Sequence, residues 1–100
     1  MKPPTQADLK VLDPDGSFRG RLESDRKRLA ELGDSGDLQE LRRIVHGLAG
    51  AAGTFGHSGV GEVAIALDDK FVAGERVLPV DVARLVAALE QALGKPEKSA

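Results

Sequence analysis

Apolar residues recur at helical spacing in four stretches of the chain, separated by polar or helix-breaking residues. The first runs from Ser17 to Leu32. It sets Phe18, Leu22, Leu29 and Leu32 on one face, opposite a charged face that includes Arg19, Arg21, Asp25 and Arg28, and Gly33 stops it. The second follows the capping cluster Asp34, Ser35, Gly36 and Asp37 and is expected to end near Gly56. Its stripe of Leu38, Leu41, Val45, Leu48, Ala52 and Phe55 advances in steps of three and four, the repeat of a packed bundle. The third, over about 59–72, turns Val60, Val63, Ala64, Leu67 and Phe71 inward and ends at Gly74. Past a loop with Pro79, the fourth carries Val82, Leu85, Val86, Leu89 and Leu93 and stops at Gly94. Asp81 sits just inside its start, where a carboxylate suits the helix dipole. No stretch alternates with period two, and the connections are short. The pattern predicts an all-α fold: an antiparallel up-and-down four-helix bundle with a short N-terminal extension. Three parts are expected. A leader covers 1–16, in which Leu9, Val11 and Leu12 form a short helix or apolar piece able to pack on the body. The bundle covers 17–94, and a polar tail covers 95–100.

Composition narrows what such a bundle can do. One hundred residues leave room for one core. Fourteen basic and 16 acidic residues give a formal charge of −2, against the clustered positive face that nucleic-acid binding needs. The three aromatic residues are all Phe, which weakens base stacking, and the spacing is that of a bundle rather than a DNA-reading helix-turn-helix. Cysteine is absent, so a disulfide scaffold, a thiolate metal site and a cysteine nucleophile are excluded. The sequence holds no apolar run near 18 residues and no apolar signal segment at its start. We therefore expect a cytoplasmic protein without nucleic-acid or membrane partners, and a monomer because most bundles of this kind are monomers. Met1 and the short length suggest a free protein rather than a piece of a larger kinase.

Candidate chemistry concentrates in the second helix. Gly47, Gly50, Gly53 and Gly56 recur every third residue. A glycine inside a helix costs roughly 1 kcal/mol relative to alanine, so several in one helix call for a reason in packing or function. At roughly 100° per residue, His46 points about 130° away from the apolar stripe and Gly50 nearly opposite it. The positions able to screen His46 are Ala49, Gly50 and Gly53. An imidazole standing clear on an outer face suits in-line attack on a phosphoryl group brought by a partner. A histidine of ordinary pKa, about 6.5, is substantially neutral at pH 7, and the neutral ring is the nucleophile. Arg42 lies one turn before His46 on the same side, able to attract phosphate.

Other residues carry weaker signals. His57 reads as a surface loop residue, and its separation from His46 matches no zinc spacing. Asp68 and Asp69 point roughly 100° apart and read as the solvated end of the third helix. The glycine-rich run lacks the Gly-Lys-Ser/Thr ending of a phosphate-binding loop.

The segment from His46 to Gly56 resembles the signature of histidine-containing phosphotransfer (HPt) domains, whose usual form is His-x-Leu-Lys-Gly, small residues and a later glycine. His46, Leu48, Gly50 and Gly56 match, with Ala51 and Ala52 as the small residues. Val63, Ala66 and Leu67 roughly match a downstream helix of the family, and the resemblance covers about 17–93. It implies a phosphorelay intermediate of two-component signalling rather than an enzyme. By that resemblance His46 is the phosphorylation site, loaded by a receiver-domain aspartate and unloaded onto another. The implied partners are response-regulator receivers and a hybrid histidine kinase. No cofactor is implied on this chain, because the receiver supplies Mg²⁺. The chain departs from the family at Ala49, where a lysine is common. Arg42 or Arg43 is expected to supply the missing charge. Docking is expected on the outer face of the second helix and the adjoining first, around Gly50 and Gly53, with Ile44 as an apolar rim residue. The alternative is a degenerate docking module that binds receiver or kinase domains and has lost the chemistry, a reading favoured by Ala49.

Overall fold

A computed structural model describes residues 12–32 and 37–94. They form four helices: α1 (Ser17–Leu32), α2 (Leu38–Ala51), α3 (Ser58–Val72) and α4 (Pro79–Ala92). Among the described residues, α1 packs on α2 and α4, and α3 packs on the same two, with no diagonal pair. This is the expected antiparallel four-helix bundle. Of the leader, residues 1–11 lie outside the described residues, as do Gly33 and the tail. Leu12 is exposed rather than packed on the body.

Local chemistry starts and stops each helix. The Asp13 carboxylate accepts the Phe18 and Arg19 N–H groups at 3.1 and 2.9 Å, satisfying donors that a helix start leaves orphaned. Asp37 caps α2 by accepting from Glu40 N–H at 3.1 Å. At α4, Pro79 occupies the first turn, and Asp81 accepts the Leu78 N–H at 2.8 Å while its own N–H donates to the Leu78 carbonyl at 2.9 Å. The Lys70 ammonium adds a 2.9 Å bond to the same Asp81 oxygen, tying α3 to α4. The Leu78 bond and then Lys70 hold the Asp81 carboxyl below the usual carboxylate range. Gly74 and Gly94 end α3 and α4 at φ +72° and +64°, a conformation that disfavours any side chain.

The core runs the length of the bundle. Leu22, Leu29, Val45, Leu48, Val60, Leu85, Leu89 and Leu93 are fully buried. The sequence stripe of α2 needs two corrections. Leu38 is 61% exposed, because it opens the helix at the bundle's edge. Ile44 is only 3% exposed: the apolar face of α2 is wider than a two-position seam and turns Ile44 inward. It cannot serve as a docking rim.

Candidate functional site

The outer face of α2 carries the candidate site. His46 lies where the helical period puts it, with its side chain 77% exposed. Helix α3 supplies what the period of α2 alone does not contain. Asp68 faces His46, with its two oxygens 3.2 and 3.3 Å from Nδ1. The Asp68 side chain is only 17% exposed, so this carboxylate is held against the bundle rather than solvated at a helix end. That corrects the sequence expectation for Asp68; Asp69 next to it is exposed. A carboxylate accepts hydrogen bonds, so the Nδ1 nitrogen donates. In the neutral ring this fixes the tautomer with the proton on Nδ1 and the lone pair on Nε2. Nε2 has no partner among the described residues, and the ring that carries it is largely exposed.

The surroundings leave that approach open. A Cβ built at Gly50 would meet nothing within 4 Å. Gly53 is exposed too, but it belongs to the turn over residues 52–56 that follows α2, not to the helix. Its backbone nitrogen would lie 3.3 Å from a Cβ at Gly61, so Gly61 lets α3 come close to the end of α2. Ala49 is half-buried and packs against the core.

The charged side chains divide between two tasks. Arg43 donates to both oxygens of Glu40 at 2.9 and 2.6 Å, and Arg28 of α1 lies 3.5 Å from the same carboxylate. Arg43, then Arg28, holds the Glu40 carboxyl below its ordinary value. Arg43 therefore faces the α1 seam and does not reach towards His46, contrary to its expected role as the balancing charge. Arg42 is exposed and makes no ion pair among the described residues. A further cation enters from α1, where the Arg21 guanidinium sits over the backbone of Gly47.

His57 contradicts the sequence reading. It is only 8% exposed, occupies the N-cap position of α3 and stacks on Phe18 at 5.9 Å between ring centroids. Phe18 stacks in turn on Phe55 at 4.4 Å. Burial lowers the His57 pKa; the nearby Asp13 charge opposes that shift and Arg19 adds to it. This ring is packing material for the α2–α3 turn. Among the described residues no cluster of three His, Cys, Asp or Glu side chains is placed to hold a metal ion, and no helix is long and apolar enough to cross a membrane.

Comparison with known proteins agrees with this geometry. The family model described as Hpt domain matches residues 16–96, which include all four helices. No curated protein and no solved structure matches the chain.

Proposed function

From the premise that this chain belongs to the Hpt domain family, the phosphotransfer modules of two-component phosphorelay signalling, we propose that His46 is the residue that carries the phosphoryl group. One observation supports this above all. An exposed face of α2 presents a histidine whose Nδ1 is engaged by Asp68 and whose Nε2 is bare.

The step follows from that tautomer. The Nε2 lone pair attacks phosphorus in an aspartyl phosphate on a partner's receiver domain. The N–P bond forms as the O–P bond breaks, and the receiver aspartate leaves as a carboxylate. The ring becomes cationic, keeps its Nδ1 proton, and Asp68 stabilises that charge across the hydrogen bond. Transfer to a second receiver reverses the sequence: that receiver's aspartate attacks phosphorus and the neutral ring leaves. Asp68 is thus a positioning residue, acting through the imidazole. Magnesium comes with the receiver in this reading, and the chain acts as a phosphoryl carrier in the cytoplasm rather than as an enzyme.

Docking uses the open surface around Gly50 and Gly53, where neither residue adds a side chain that would obstruct a partner's active site. Arg42, one turn before His46 and without an ion pair among the described residues, faces the incoming phosphoryl group and eases its approach.

The test is a transfer profile. Receiver domains from the same genome are phosphorylated with radiolabel and mixed with native protein or with His46→Gln. Acid-labile label on the native chain alone is the expected result. Label on His46→Gln, or receivers that bind the native chain without passing any label, contradicts the proposal; the second outcome describes a docking module.

A further inference from the structure

A phosphoryl group on His46 places two negative charges on an exposed helix face, and Ala49 stands where the family commonly has lysine. We infer that Arg21, from the neighbouring helix α1, is the cation that receives that charge. The inference rests on His46 as the acceptor and adds a residue to it.

The geometry starts at Gly47, the chain neighbour of His46. A Cβ built there would lie 2.5 Å from Arg21 Nη2, a distance that real Cβ atoms do not show. The guanidinium therefore rests directly on the α2 backbone, in space that any other residue at position 47 would fill. Gly50, one turn further on, adds no side chain and has open space beside it. Neither Gly47 nor Gly50 puts a side chain of its own between the guanidinium and the histidine face.

Arg21 is held there lightly. Its guanidinium carbon lies 5.7 Å from the centroid of the Phe18 ring, and its Nε is 3.4 Å from Asp25 Oδ2. That Asp25 oxygen is buried and lacks a well-formed hydrogen bond, so the pair is long and poorly aligned. Burial pushes the Asp25 carboxyl above its ordinary value, and Arg21 counters it. A dianionic phosphoryl group offers the guanidinium a stronger, bidentate acceptor than this single oxygen. Rotation about the outer torsions of Arg21 exchanges one for the other. Arg43 cannot do the same without giving up both of its bonds to Glu40.

The experiment needs no partner protein. Phosphoramidate serves as a small-molecule donor, and phosphorus NMR follows the phosphohistidine signal and its decay. Native protein is compared with Arg21→Ala, Arg21→Lys, Gly47→Ala and Arg42→Ala. Arg21→Ala shortens the half-life about fivefold, the scale of one charge-assisted bond at a half-exposed site, and shifts the phosphorus resonance. Arg21→Lys restores part of the loss. Gly47→Ala keeps the arginine and improves helix propensity, so it folds at least as stably, yet it shortens the half-life by displacing the guanidinium tip.

An unchanged half-life and resonance in Arg21→Ala overturns the inference, whatever happens to its melting temperature. A loss confined to Arg42→Ala assigns the charge to Arg42 instead and equally overturns it. Failure of the acceptor reading looks different: the native protein then shows no phosphohistidine at His46.

Discussion

The two histidines of this chain stand eleven positions apart and live under opposite conditions. His46 projects from the middle of α2 into solvent, with one ring nitrogen on Asp68 and the other bare. His57 is enclosed at the turn into α3, stacked on Phe18 and driven towards its neutral form by burial. In the proposed reading the same side chain is a reagent in one place and a wedge in the other. Exposure alone does not make the difference, since a lone surface histidine has no defined tautomer. The carboxylate on α3 does, by fixing which nitrogen holds the proton while leaving the other free.

Removing that carboxylate gives the largest effect. Asp68→Ala is expected to slow phosphoryl transfer to His46 about tenfold, equivalent to about 1.4 kcal/mol of barrier. Its unfolding free energy should stay within about 0.5 kcal/mol of native, because the His46 ring that Asp68 engages is itself largely exposed to solvent. Asp68→Asn keeps an oxygen for Nδ1 and should recover part of the rate. Single-turnover transfer kinetics and urea unfolding on the same samples separate the two readouts. Equal rates in native and Asp68→Ala would reduce the pair to an incidental surface contact.

The converse change belongs to His57. His57→Ala leaves a gap beside Phe18 and should cost about 1–3 kcal/mol of stability by urea unfolding, while His46 still accepts label. Loss of label with the fold intact would place His57 in the chemistry and break the contrast.

The smallest effect is in pH. Because the folded state lowers the His57 pKa below its ordinary 6.5, this group's contribution to stability is full above about pH 6.5. It declines as the pH falls below that value towards the folded-state pKa, since the unfolded chain takes up the proton first. His57→Gln should remove this decline from the pH profile of the unfolding midpoint. An unchanged profile means the ring does not titrate with folding.

The helices were legible in the sequence because each carries its own signal. The apolar period set the faces, Gly74 and Gly94 ended α3 and α4, and the direction of His46 followed from counting residues around α2. What stayed hidden was the register between helices. Nothing in the period of α3 says that Asp68 meets His46, so it read as one of two solvated carboxylates. Arg21 over Gly47 is hidden for the same reason. Arg43 read as a partner for His46 because its bonds to Glu40 depend on rotamers, which spacing does not fix. His57 read as a loop residue because its burial comes from Phe18, 39 positions earlier in the chain. Ile44 and Leu38 were misplaced because a stripe idealised to steps of three and four ignores how wide the buried face is and where the neighbouring helices end.

The central claim concerns one atom, and NMR reads it directly. With nitrogen-15 in the imidazole rings, long-range proton–nitrogen correlation identifies each tautomer, and coupling to phosphorus identifies the phosphorylated nitrogen. In the resting protein at neutral pH, the neutral form of His46 should carry its proton on Nδ1. After phosphorylation, coupling to phosphorus should appear at Nε2 of His46, with His57 unmodified. Phosphorus on Nδ1 of His46, or on His57, would contradict the account.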